Sequence, residues 1–166
     1  LAMVADALAT SGLPPSQLEL EITEGALMVD TEETLSRLKA LRAMGVSIAI
    51  DDFGVGFSSL SYITRFDIDT LKIDRSFIAA LPDSASDAAV TQTVIALAHA
   101  LDIKVVAEGV ENDAQLAFLR SRHCDLAQGA RFGMATPPAM FSVQGFRFGA
   151  AMAPDDFVAA LPAIRA

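Results

Sequence analysis

Apolar and polar positions alternate along Leu18–Thr23 (LELEIT), and compact apolar runs follow at Val46–Asp51 (VSIAID), Thr70–Asp74 (TLKID) and Ile103–Gly109 (IKVVAEG). Each has the length and β-branched content of a strand. Cys124–Gly129 (CDLAQG) is a shorter candidate. Between the strands the period changes. Leu35, Leu38, Leu41 and Met44 recur at helical spacing within DTEETLSRLKALRAMG, where Asp30 with Glu33 resembles a capping box and Gly45 stands at a C-cap position. Ser84–Leu101 gathers Val90, Val94, Ile95 and Leu101 on one side, and Asn112–Arg122 does the same with Leu116 and Leu119. LAMVADALATSG, from Leu1, reads as a further helix.

Strands alternating with helices predict an α/β fold with a parallel sheet and right-handed crossovers. A closed (β/α)8 barrel takes about 200–250 residues, so the 166 residues here correspond to about five of its units. Two arrangements remain open: a doubly wound sheet, or the C-terminal part of a TIM-type barrel. Because Leu1 lies inside a helical pattern, it is read as an internal residue of a longer protein.

Composition narrows the class. The chain is 52% hydrophobic and 20% charged, enough for one sizeable core, and acids and bases interrupt every apolar run. A net charge of −9 argues against a DNA or RNA polymer as partner, unless bound cations reverse the local field. The single cysteine, Cys124, rules out an intrachain disulfide and fits a reducing compartment. One repeat stands out: QGARFGMATPP (Gln128–Pro138) recurs as QGFRFGAAMAP (Gln144–Pro154) and is read as a local duplication.

Charged and polar residues collect at the C-terminal ends of the strands, where α/β sheets and barrels place their sites. Glu21 and Glu24 close the first strand, Asp51 and Asp52 the second, Glu108 and Glu111 the fourth and Gln128 the fifth, with Lys72 near the end of the third. Singly, such acids cap helices or sit in solvent. Converging on one mouth, four of these carboxylates and the lysine suit hard divalent cations such as Mg²⁺ or Mn²⁺. Two cations about 4 Å apart could share a carboxylate and clamp an attack on phosphorus. Zinc is disfavoured: His99 lies within a helix, and the adjacent His123 and Cys124 lack ligand spacing. The loop DFGVGFSS lacks a G-x-G-x-x-G or G-K-[ST] pattern, so Gly54 and Gly56 are read as turn residues over the mouth, with Ser58 and Ser59 within reach of acids such as Glu24.

LELEITE, AIDDFGVGFSSLSYI, DTLKIDRSFI, VVAEGVEN and CDLAQG, in this order, resemble the EAL-domain cyclic-di-GMP phosphodiesterases of bacteria. The resemblance implies a (β/α)8 barrel that cleaves cyclic-di-GMP to linear pGpG with two Mg²⁺ or Mn²⁺ ions. Glu21 would bind the first metal and Asp51 both, while Asp52 and Glu108 would serve the second. Lys72 would position or deprotonate the attacking water, and Gln128 would help orient it. Glu24 would anchor the Gly54–Ser58 loop, and Glu111 would support the site from behind. The implied partners are cyclic-di-GMP, a second copy through the barrel, and an upstream sensory or GGDEF-type domain. The implied location is cytoplasmic, with any membrane anchor upstream of Leu1.

The family's Glu-Ala-Leu motif and a following Asn would lie before Leu1, so the chain is expected to begin about three strands into the barrel. The aromatic residue that usually follows Gln-Gly is Ala130 in the first copy and Phe146 in the second. Alternative functions are a non-hydrolytic cyclic-di-GMP-binding module and, for the isolated chain, an inactive incomplete barrel.

Overall fold

The computed structural model describes residues 1–27, 31–56, 63–129 and 142–143. Helix α1 (Ala2–Ser11) stops at Gly12, whose φ of 62° is a left-handed conformation that glycine adopts at little cost. After a 3₁₀ turn at Pro15–Gln17 come β1 (Glu19–Thr23), α2 (Glu24–Leu27), α3 (Thr31–Ala43), β2 (Ser47–Phe53) and β3 (Thr70–Ile73). Then follow α4 (Arg75–Ile78), α5 (Ala85–Ala100), β4 (Lys104–Glu108), α6 (Asp113–Ser121), β5 (Leu126–Gln128) and the two-residue β6 (Ser142–Val143). The starts of α4, α5 and α6 are capped by side chains. Asp74 accepts from the Ser76 amide, Ser84 from the Asp87 amide, and Asn112 forms a capping box with Gln115. Asp30, Ser58, Ser59, Ala130, Phe146 and most of the duplicated segment lie outside the described residues.

All strand pairs are parallel and run in the order β1-β2-β3-β4-β5-β6. A doubly wound sheet reverses its strand order at a switch point; here each new strand adds on the same side, as in a barrel wall. Sequence periodicity left that choice open, and the strand order settles it. Among the described residues, no helix is long and apolar enough to cross a membrane.

Register then sorts the side chains. Glu21 pairs with Ala49, Ala49 with Thr70, Thr70 with Lys104, and Glu108 with Gln128. With a side-chain period of two, Glu21, Asp51, Lys72, Glu108 and Gln128 therefore share one face. The alternate positions Ile48, Ile50, Leu71, Ile73, Val105, Ala107 and Ala127 face the helices and form the core with Val94, Ile95, Ala98, Leu116 and Leu119.

Two aspartates tie the opposite, N-terminal ends of the strands. Asp69, just before β3, accepts from the Ile48 amide at 2.8 Å and pairs with Arg42 near the end of α3. Asp125, just before β5, accepts from the Val105 amide at 2.9 Å and from His99, in the last turn of α5, at 3.0 Å. The arrangement is the same in both units: an aspartate ahead of one strand receives the preceding strand's second amide and a cationic or imidazole group from the helix before it. His99 is thus a bonded residue of a helix end rather than a mid-helix one.

Candidate metal centre

Lys72 is 4% exposed, although lysine is rarely buried without partners. Its ammonium lies 2.7 Å from Glu21 Oε1, 2.5 Å from Glu108 Oε1 and 3.2 Å from Asp51 Oδ1. Asp51 Oδ1 is nonetheless a buried atom whose contact with the ammonium is an ion pair and not a hydrogen bond. Burial alone would lower the Lys72 pKa. Its hydrogen bonds to Glu108 and Glu21, with their charges, outweigh that and raise it above the ordinary lysine value.

Asp52 completes the cluster by a departure from regular strand geometry. Successive residues of a strand point to opposite faces, so Asp51 and Asp52 should diverge. Instead the β2–β3 register shifts between Ile50 and Phe53, and Asp52 has φ 55°. Carboxylate oxygens of Asp51, Asp52 and Glu108 then fall within 4.8 Å of one another. The strand also runs on to Phe53, so the two acids lie within β2 rather than closing it at Asp51.

Such crowding shows in the acidities. Burial raises the Glu108 carboxyl above its usual value; Lys72 opposes the shift, and Asp51 and Glu21 reinforce it. Asp52 is raised too, by desolvation and then by the charges of Asp51 and Asp74. Asp74 is lowered: desolvation works against it, but hydrogen bonds from Ser76 prevail. Asp74 is therefore both the cap of α4 and a neighbour of the cluster. Its signal was a serine two residues downstream, an N-cap spacing.

The remaining expected residues lie at strand ends or in the stretches that follow them. Glu24 opens α2 and is 6% exposed, and its Oε2 accepts from the Gly54 amide at 3.4 Å. A Cβ on Gly56 would stand 3.3 Å from that same oxygen, so the chain crosses the Glu24 carboxylate closely. Gly54 has φ 99°, a turn conformation that favours glycine. Gln128 offers its carbonyl to the Val110 amide at 3.0 Å. Glu111 leaves its side chain exposed and donates its amide to Gln115 Oε1 at 2.7 Å.

A hard divalent cation fits this donor set. The ligand atoms are all carboxylate oxygens, they converge, and one of them is buried without a hydrogen bond. Carboxylates this close repel one another unless a positive charge joins them.

Comparison with known proteins points the same way. The EAL domain family model matches residues 1–135. The cyclic di-GMP phosphodiesterase NbdA of Pseudomonas aeruginosa is 49% identical over 150 residues, covering 89% of this chain and 19% of that protein. The bifunctional diguanylate cyclase/cyclic di-GMP phosphodiesterase MucR of Pseudomonas aeruginosa is 46% identical over 134 residues, 81% of this chain and 20% of MucR. Among solved structures, a PaMucR phosphodiesterase complex with c-di-GMP superposes with a TM-score of 0.76 at 46% identity, covering 81% of this chain and 54% of that one. A manganese/cy-diGMP complex of Klebsiella pneumoniae BlrP1 gives 0.74 at 37% identity, with 79% and 33% covered. The chain thus spans at most 20% of the length of these two curated relatives.

Proposed function

The chain belongs to the EAL domain family, and from that premise we propose that the protein carrying it hydrolyses cyclic di-GMP to linear pGpG with two divalent cations, Mg²⁺ or Mn²⁺. The observation that carries this is the convergence of Glu21, Asp51, Asp52 and Glu108 around the buried Lys72 ammonium. Family membership supports the substrate: relatives so named are cyclic di-GMP phosphodiesterases, and a solved neighbour holds manganese with the dinucleotide.

Glu21 and Asp51 would hold one cation, and Asp51, Asp52 and Glu108 the other, with Asp51 shared. Bound there, the cations would supply positive charge for the phosphodiester oxygens and a water that ionises near neutral pH. The protein's own groups do the rest. Lys72, kept as an ammonium by Glu21 and Glu108, would hold the attacking water by donating to it from Nζ instead of taking its proton. Gln128 would help orient that water. Glu24, beneath Gly54 and Gly56, would hold the loop against the mouth, and Glu111 would support the turn after β4. We extend the same reading to a homodimer formed through the barrel, an upstream sensory or GGDEF-type domain, and a cytoplasmic location for the catalytic domain.

The test is an assay of the complete domain for pGpG release with Mn²⁺ or Mg²⁺. Turnover should fall by orders of magnitude in Asp51→Ala, because both cations depend on that carboxylate. Absent turnover, or turnover indifferent to Asp51→Ala, would reject the proposal.

A further inference from the structure

We propose that Gln115 is a positioning residue whose buried carboxamide sets the turn after Glu108 against the unit that carries Lys72; the proposal rests on the assignment of Glu108 as a cation ligand made above.

Gln115 is 2% exposed. Its Oε1 accepts two backbone amides, Glu111 at 2.7 Å and Asn112 at 3.1 Å, filling both lone pairs. Its Nε2 donates at 3.2 Å to the carbonyl of Ala79, at the C-cap of α4. Helix α4 follows β3 and thus Lys72, whereas the Glu111–Asn112 amides follow β4 and thus Glu108. One side chain therefore ties together the stretches leaving the two strands whose ends meet in the 2.5 Å Lys72–Glu108 pair.

The turn between Glu108 and Glu111 has little freedom to absorb a change at Gln115. Gly109 has φ 70°, and a Cβ there would fall 2.6 Å from Arg75 Cβ. Val110 is wholly buried and bonds the Gln128 carbonyl, and a Cβ on Gly129 would meet the Val110 carbonyl oxygen at 2.2 Å. A turn packed this closely on both sides passes displacement along the backbone to Glu108 instead of taking it up locally.

Gln115 is also the N3 member of the α6 capping box, so a purely local cap is the competing explanation. What separates the two is the bond to Ala79, which a cap does not need. Ser84, the N-cap of α5, provides a matched control that touches none of the site residues named here.

In the full chain, Mn²⁺ affinity is measured by electron paramagnetic resonance alongside melting temperature for the parent, Gln115→Met and Ser84→Ala. Gln115→Met is expected to weaken Mn²⁺ binding by about 10-fold, in the range seen when groups behind metal ligands are removed. Ser84→Ala should lower the melting temperature and leave Mn²⁺ affinity unchanged. Equal Mn²⁺ affinity in Gln115→Met and the parent would reduce Gln115 to a helix cap and overturn the proposal. If Gln115→Met does not fold, Gln115→Glu decides, since it keeps the two accepted bonds and loses the donated one. Weakened Mn²⁺ binding in Gln115→Glu supports the proposal, and unchanged binding overturns it. A parent that binds no Mn²⁺ overturns the cation site itself, an outcome visible before any variant is compared.

Discussion

Asp52 keeps its carboxylate in the cluster through a left-handed backbone that costs a non-glycine residue about 1–3 kcal/mol. Asp52→Gly should therefore leave the melting temperature of the cation-free protein close to the parent's. Asp52→Val should lower stability by about 1–3 kcal/mol, because a β-branched residue resists φ 55°. Both should weaken Mn²⁺ binding in a titration. Glu108 gives a pH signature. Its folded pKa lies above 4.5, so its contribution to cation-free stability is complete below that value and is lost as pH rises through the raised one. Denaturant unfolding across this window should show the loss in the parent and not in Glu108→Gln. In the holo protein, proton and cation compete, so affinity should fall as pH drops through the same range. The adjacency of Asp51 and Asp52 was plain in the sequence. The backbone twist that lets neighbours share one site was not, because a single left-handed aspartate leaves no periodic trace.

Strands and helices were largely legible because alternation and helical spacing are local patterns. Their ends moved by a residue or two, as with β2 running on to Phe53. The Asp69 and Asp125 ties were not legible: each joins a side chain to an amide far away in the chain, and no local spacing encodes that. Removing either acceptor leaves a strand amide and a helix-end group without their partner. Asp69→Ala and Asp125→Ala should each cost about 1–3 kcal/mol in chemical denaturation. Gly129→Ala strikes between two strand ends, since its Cβ would overlap the Val110 backbone. Forcing β5 and the turn after β4 apart should cost about 1–3 kcal/mol and weaken Mn²⁺ binding as well, read by the same titration.

For the molecule as a whole, Cys124 is a built-in reporter of opening. It is 2% exposed, and burial pushes its thiol up to about 12. A thiol-reactive probe at neutral pH should therefore label the protein only as fast as it unfolds, and Mn²⁺ should slow labelling by favouring the folded state. The thiol's own contribution to stability is complete below pH 9.0 and is lost as pH rises towards 12. Strand order was the global feature hidden from the sequence, since periodicity counts strands without saying which are neighbours. It emerged together with a mechanical asymmetry. At one end of β2 and β4, Asp69 and Asp125 clamp the wall to the helices behind it; at the other end sit several carboxylates that share the single Lys72 ammonium. β2 is in effect a cantilever, fixed at its root and loaded at its tip, whereas β4 is held at both ends by Asp125 and by the packed turn after Glu108. Deflection concentrates at the tip of β2, so hydrogen exchange should be slowest at the Ile48 amide and quicken toward Asp52, with no such gradient along β4. Filling or emptying the mouth with cations then bends the end of β2 while its footing stays still.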